Sequence, residues 1–316
     1  MDQYQSYANL PETARNAVVV IGNFDGVHRG HCGLFDAARM IAKNTGRKLA
    51  VLTFEPHPRH LFRPDDPPFR ITPAGVKADR LAAHGVDILV SLNFDWPFAS
   101  QSADHFIQHV LKDGLNAAHI VVGRDFRFGQ LRKGDAAMID AAGIPITVMD
   151  KIADDDDKDG GGDDISSTRI RQALGTGDIA EANTLLGWEW EMRGVVEQGD
   201  KRGRELGFPT ANVGLGDTLH PAYGVYATWT KIVEDGPDAP WIPGATNIGI
   251  RPMFELKVGR IENYLFDFNR DIYGKTLRVR PVTRLRGEAK FDGLDALIAQ
   301  IAADCAEARA ILAQNP

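Results

Sequence analysis

Residues 18–31, VVVIGNFDGVHRGH, constrain this chain more than any other stretch. An apolar run ends in a glycine-bearing loop with an aspartate and two histidines three residues apart, and a helical pattern follows at once. That order predicts a strand, a tight loop and a helix start, which is the local geometry that receives a phosphate. Backbone N–H groups at a helix N-terminus lack intrahelical partners, and the macrodipole places about half a positive charge there. Gly22, Gly26 and Gly30 let the backbone turn sharply and approach a ligand closely. His28 and His31 would stand beside the phosphate as neutral donors or as cations. Two blander readings of the motif stay open at this point: a pair of metal ligands on one helical turn, and a loop that is merely polar.

The first half of the chain alternates. Strands are expected over 17–21, 49–54, 87–92, 120–122 and 146–149, and helices over 34–41, 76–84, 103–112 and 135–142. Strand–helix alternation implies right-handed crossovers and a parallel sheet covered on both faces. Ligands of such sheets bind beyond the strand C-termini. The three conspicuous polar loops, GNFDGVHRGH, EPHPRHLFRPDD and GRDFRFGQLRKGD, are therefore expected on one edge, building one site. An acidic, glycine-rich run over 154–164 (DDDDKDGGGDD) reads as a solvated loop. From Glu189 onward the pattern changes to β-rich runs over 192–196, 224–233, 241–250, 261–268 and 277–285, separated by Gly/Pro turns. These suggest a small antiparallel barrel or sandwich. A last amphipathic helix is expected over 294–312, with Leu294, Leu297, Ile298, Ile301 and Ala302 on one face. The expected domains are 1–186 and 187–316.

Composition narrows the function classes. The 316 residues carry a formal net charge of −7. That balance argues against bulk nucleic-acid binding, which leans on Lys/Arg–phosphate contacts, but is no obstacle to ATP. Two cysteines, Cys32 and Cys305, make neither a disulfide framework nor a zinc spacing. The N-terminus lacks the basic start and apolar core of a secretory signal, and the apolar stretches are strand-sized. The expectation is a soluble, cytoplasmic protein with no membrane partner.

Further motifs carry chemistry. ISSTRIR (165–171) opens with N-capping serines and sets Arg169 and Arg171 one turn in, where an arginine fork can take two phosphate oxygens. A capped helix with solvated arginines is the alternative. TFEPHPR (53–59) and GRDFRFG (123–129) place His57 and Asp125 beside Phe54, Phe62, Phe126 and Phe128, a mixture suited to a flat heteroaromatic ligand. GDKRGRELGFPTAN (199–212) is glycine-rich and ends in Thr210 and Asn212, whose oxygens suit phosphate and Mg²⁺. In IENYLFDF (261–268), strand alternation puts Glu262 and Tyr264 on one face. A carboxylate there could accept a hydroxyl proton during phosphoryl transfer.

Taken together these segments resemble the prokaryotic bifunctional riboflavin kinase/FMN adenylyltransferase (FAD synthetase) family, in order and over nearly the whole chain. GNFDGVHRGH, TFEPHPR, GRDFRFG and ISSTRIRQAL resemble the adenylyltransferase half. RGRELGFPTAN, PAYGVYA, NIGIRPMF, ENYLFDFNRDIYG and LRGEAKFDGLDAL resemble the kinase half. The resemblance implies a Rossmann-like nucleotidyltransferase domain with a parallel sheet, followed by a small antiparallel β-barrel with a terminal helix. It implies riboflavin, FMN and ATP as substrates and Mg²⁺ as cofactor. It also implies roles. His28, His31 and Arg171 would serve adenylyl transfer and Glu262 would be the kinase base. Gly22, Phe24, Asp25, Gly30, Ser167, Thr168, Gly203 and Gly207 would bind ATP, His57, Phe62, Asp125 and Phe128 the flavin, and Thr210 and Asn212 the metal. The chain departs from the family pattern at the linker, with Trp188 and Glu189 after Gly187, and at Tyr264, where histidine is frequent.

Overall fold

A computed structural model describes residues 1–150, 165–199, 206–253 and 256–315. Gly203 and the acidic run 154–164 lie outside the described residues. The chain divides into two compact units, Met1–Asp66 with Thr72–Ser167, and Pro67–Ile71 with Thr168–Pro316.

The first unit is built on strands β1 (Asp2–Tyr4), β2 (Val18–Ile21), β3 (Leu49–Glu55), β4 (Ile88–Asn93), β5 (His119–Gly123) and β6 (Ile146–Met149). They form one sheet in the order β1-β4-β3-β2-β5-β6, and every pair is parallel. β2 sits inside it, and all four of its residues are buried. Because side chains alternate along a strand, Val19 and Ile21 enter one core and Val18 and Val20 the other. Helix α1 (Arg29–Thr45) covers the second core with Phe35, Ala38 and Ala42, beside Ala78 and Leu81 of α3 (Ala74–Ala83). The short α2 (Pro58–Phe62) and α4 (Trp96–Ala99) follow β3 and β4. Helix α5 (Ala103–His105) continues with a wider, π-type turn through Phe106–Gly114 and packs Phe106, Ile107, Val110 and Leu111 on the first core, with Ile139 of α6 (Ala136–Ala141). Burying one such side chain contributes roughly 1.5–3 kcal/mol, so both sheet faces are closed by apolar contact. The loops after β2, β3 and β5 leave the same strand edge, as the alternation predicts.

The second unit contains helices α7 (Ser167–Thr176, shared at its first residue with the first unit) and α8 (Ile179–Leu186), then a closed antiparallel barrel. Its strands are β7 (Met192–Glu197), β8 (Ala211–Gly214), β9 (Gly224–Ile232), β10 (Ile242–Met253), β11 (Leu256–Leu265) and β12 (Thr276–Arg286), in the order β10-β11-β8-β7-β12-β9, and β9 pairs with β10 to close it. The division at 167/168 differs from the 186/187 limit read from sequence by these two helices. Their Ile170, Leu174, Ile179, Ala182, Leu185 and Leu186 are buried, and two hydrogen bonds tie them to the barrel unit: Ala222 N donates to the Leu174 carbonyl, and Trp190 N donates to Asn183 Oδ1 at 2.8 Å. The strap Pro67–Ile71 joins it too. Arg70 bridges Thr218 in β fashion, and the fully buried Trp190 donates its indole Nε1–H to the Ile71 carbonyl at 2.9 Å.

Inside the barrel lies a fully buried polar chain. Thr228 and Thr246 share a hydrogen bond of 2.6 Å, Thr246 donates to Asn263 Oδ1 at 3.1 Å, and Asn263 Nδ2 donates to Thr230 at 2.7 Å. The last helix, α9 (Leu294–Gln314), lies against the barrel wall. Its inward stripe is Leu297, Ile301, Asp304, Ala308 and Leu312, while Leu294 and Ala302, expected on that face, are exposed. Asp304 forms a bidentate pair with Arg286 of β12 and accepts from Gln300, which fixes the helix on the wall.

Candidate active sites

The loop between β2 and α1 is held in an uncommon conformation. Phe24 and Val27 have left-handed backbones with φ of 48° and 42°, and Gly26 lies at 93°. A non-glycine residue there costs about 1–3 kcal/mol and persists only where its surroundings over-determine it. Here Asp25 supplies the constraint. It is 4% exposed, and its Oδ1 accepts from the Thr72 amide at 3.0 Å and the Thr72 hydroxyl at 3.3 Å. That hydroxyl in turn accepts from Gly26 N at 2.9 Å. Asp25 is thus turned onto the protein, where it shapes the loop. Ser167 adds a bond from its hydroxyl to the Asp25 carbonyl at 2.8 Å. Two glycines are needed for close approach: a Cβ on Gly22 would lie 2.7 Å from the Phe24 ring, and one on Gly30 2.9 Å from the Ile165 carbonyl oxygen.

The two histidines act on the helix start itself. His28 is the N-cap of α1, and its backbone N–H donates to His31 Nδ1 at 3.3 Å. The rings stack at 3.6 Å, and Phe24 meets the His31 ring edge-to-face at 5.2 Å. A ring that accepts at Nδ1 carries its proton on Nε2. Consistently, desolvation first, then His28, then Lys77 hold the His31 pKa well below its ordinary value. Parallel stacking does not converge two nitrogens on one ion, and among the described residues no group of three His, Cys, Asp or Glu could hold a metal.

Beside this loop opens a cavity of about 650 Å³ lined by His57, Phe54, Phe62, Phe126 and Phe128, which the sequence grouped together, and also by Asn23, Phe94, Trp96, Phe98 and Phe106. The rings meet mostly tilted or edge-to-face, as Phe62–Trp96 does at 5.6 Å and 82°. His57 caps α2, with Nδ1 accepting from Arg59 N at 3.1 Å. Asp125 is exposed and is not among the lining residues, so proximity to Phe126 in sequence does not put it at the cavity. The aromatic contribution of FDWPF (94–98) after β4 went unread in the sequence, although its ring density was a signal. Thr168 is exposed, and Arg171, in the second unit, donates from Nε to the Phe69 carbonyl at 2.9 Å and covers the Phe69 ring.

The barrel carries a second cavity, of about 760 Å³. Strand register assembles its polar wall. Glu262 on β11 lies opposite Asn212 on β8 and Asn247 on β10, and directly opposed residues present their side chains on one face. All three line the cavity, with Thr210, Tyr264, Arg286 and Glu288. Asn212 donates Nδ2 to the Thr210 carbonyl at 3.3 Å, which leaves its Oδ1 to accept or ligate. Gly199 also lines the cavity, and a Cβ there would overlap the Asn212 amide at 2.3 Å, so the backbone comes right up to it. Phe208 and Tyr264 pack edge-to-face at 5.6 Å to form an aromatic side. Gly207 sits between lining residues Leu206 and Phe208 with φ of 84°, a turn position that favours glycine.

Two disjoint sites in one chain match two family models, FAD synthetase over residues 10–169 and riboflavin kinase over 186–312. The chain belongs to the bifunctional riboflavin kinase/FMN adenylyltransferase family. The Bacillus subtilis enzyme of that name is 39% identical over 308 residues, 95% of this chain and 93% of the relative. The Escherichia coli K12 enzyme is 39% identical over 296 residues, 92% and 91% of the two chains. A crystal structure from Streptococcus pneumoniae described as a macrolide-efflux protein is 33% identical, with a TM-score of 0.80 and 96% of each chain covered. Among the described residues no helix is long and apolar enough to cross a membrane. Family membership accounts for the pairing of an α/β unit that ends its β2 in a histidine loop with a barrel that lines one wall with Glu262.

Proposed function

We propose that the barrel transfers the ATP γ-phosphoryl group to riboflavin, and that the α/β unit transfers AMP from a second ATP to the resulting FMN. The observation that carries this reading is the register that sets Glu262 among Thr210, Asn212 and Asn247 in the barrel cavity, in a chain whose other cavity opens beside a helix N-terminus.

In the kinase step the riboflavin 5′-hydroxyl attacks the γ-phosphorus, Glu262 accepts its proton, and ADP leaves. An alcohol is a poor nucleophile, and general base assistance contributes roughly 10²–10⁴-fold. The Thr210 and Asn212 oxygens are hard donors of the kind Mg²⁺ prefers, and both residues line the cavity, so they fit the metal. Bound there with ATP, Mg²⁺ would neutralise charge on the phosphates.

In the adenylyl step an FMN phosphate oxygen attacks the α-phosphorus of ATP, the bond to the β-phosphate oxygen breaks, and pyrophosphate leaves. This nucleophile is already an anion and needs no base. The protein's task is alignment and charge stabilisation. The α1 N-terminus and the His31 Nε2–H serve the phosphates, His28 packs that ring, and the Phe62, Phe128 and His57 cavity takes the isoalloxazine. Ser167 steadies the loop from its far side. ATP as donor for both steps and the two free thiols, Cys32 and Cys305, support a cytoplasmic location. We keep 1–186 and 187–316 as the limits of the two catalytic halves.

The test is chromatography of products from riboflavin, ATP and Mg²⁺. FMN should appear first and FAD after it, and FMN supplied alone should give FAD. Failure to convert supplied FMN would overturn the adenylyl assignment, and failure to phosphorylate riboflavin the kinase assignment.

A further inference from the structure

Neither reaction uses the most deeply buried lysine or arginine among the described residues of the first unit. Lys77, on α3, is 2% exposed. Its ammonium donates to the Asn23 carbonyl at 3.0 Å and the Thr53 hydroxyl at 3.3 Å, and pairs with Glu55 Oε1 at 2.7 Å. The Thr53 hydroxyl donates onward to the same Asn23 carbonyl at 3.2 Å. A buried ammonium is tolerated only when it is fully ligated, and an apolar side chain of similar volume would fill the space without that demand. Packing therefore does not account for a lysine here.

What Lys77 holds together is specific. Asn23 opens the phosphate loop and also lines the aromatic cavity. Glu55 ends β3, two residues before His57 of the same cavity. One ammonium thus ties the exit of β2 to the exit of β3, at the point where the phosphate loop and the cavity wall diverge. The same α3 follows directly on Thr72, the residue that shapes the loop through Asp25.

We infer that Lys77 is a positioning residue for adenylyl transfer, a buried tie that fixes the spacing between the phosphate loop and the flavin cavity and so the approach of the FMN phosphate to the α-phosphorus. The inference rests on the adenylyl assignment above. It is distinct from that assignment because it concerns alignment at a site that still binds both substrates.

The experiment is steady-state kinetics of both reactions on the full chain, for Lys77→Met and for Lys77→Met combined with Glu55→Gln. The kinase activity on the same polypeptide reports the amount of sound protein. Misplacement of reacting groups by about 1 Å costs on the order of 10²-fold. Lys77→Met should therefore lower kcat for FAD formation about 100-fold, with KM for FMN and ATP changed less than about threefold and FMN formation unchanged. The double variant should regain thermal stability, because no charge is left buried without its counter-charge, yet should stay slow in adenylyl transfer. Should Lys77→Met alone lose the thermal transition of the α/β unit, the charge-neutral double variant carries the same comparison. A kcat within threefold of the parent, a rise confined to KM, or full recovery of FAD formation in the double variant would each overturn the proposal. A parent chain that makes no FAD from FMN would refute the adenylyl assignment instead.

Discussion

Thr72 meets Asp25 twice, through its amide and through its hydroxyl, and the same hydroxyl receives the Gly26 amide. These hydrogen bonds brace a strained loop. Thr72→Val removes the hydroxyl and with it the hydrogen bonds to Gly26 N and Asp25 Oδ1. FAD formation from FMN should fall at least tenfold while riboflavin phosphorylation is unchanged, as product analysis of the two reactions would record. Equal loss of both would mean that the loop serves the whole chain.

Glu262→Gln keeps the shape of the barrel wall and removes the proton acceptor. FMN formation should drop by roughly 10²–10⁴-fold, with riboflavin binding retained in a fluorescence titration and FAD formation from added FMN intact. A variant that phosphorylates riboflavin at near-parent rate would remove Glu262 from the chemistry.

His31 gives a pH dependence with a definite sign. Its surroundings, His28 and Lys77 hold its folded-state pKa well below the ordinary 6.5. Between those two values the unfolded chain binds the proton and the folded one does not, so stability rises with pH across that window. The contribution is complete above about pH 6.5 and is lost as pH falls toward the folded-state value. Thermal melts of the α/β unit should therefore shift down on acidification below about pH 6.5, and His31→Gln should flatten the dependence. A triphosphate opposes the shift by favouring the charged ring, so ATP binding near pH 6 should take up protons. Calorimetry in two buffers of different ionisation heat reads that directly, and the absence of uptake would place the phosphates away from His31.

Arg286 and Asp304 anchor α9 to the barrel. Asp304→Asn leaves the partly buried guanidinium without its counter-charge, and breaking one side of a buried pair costs about 3–5 kcal/mol. The barrel's melting transition should fall, and the kinase KM should rise, since both residues line the cavity. Replacing both, Arg286→Met with Asp304→Leu, should recover most of the stability and little of the KM.

Much of this fold was legible in the residues because its signals are local. VVVI before a polar loop reads as a strand, and the Gly/Pro spacing after Glu189 reads as a small antiparallel barrel or sandwich. Short elements were harder. β1 has three residues, and its pairing with β4 rather than its own pattern makes it a strand. β8, ANVG, was read only as the tail of a phosphate loop, since nothing within it announces the pairing to β11 and β7. The serines of ISSTRIR marked a helix start but not the core that its helix joins. Side-chain direction was least legible. Asp25 reads as a ligand-facing carboxylate until Thr72, 47 residues away, is seen to occupy it. Lys77 drew no reading from the sequence, because Asn23, Thr53 and Glu55, which ligate it, come from two other strand ends. The cross-strand row of Asn247, Glu262 and Asn212 needed register, which alternation alone does not supply.

The strap Pro67–Ile71 bears on any attempt to take the two activities apart. A fragment begun at residue 187 would keep every barrel strand but would lack the carbonyl that receives the Trp190 indole, the β-bridge to Thr218, and both helices that cover that end. One cut at 186/187 therefore strips from the barrel unit contacts that come from far upstream, and insertion, tether or co-expressed peptide would return them.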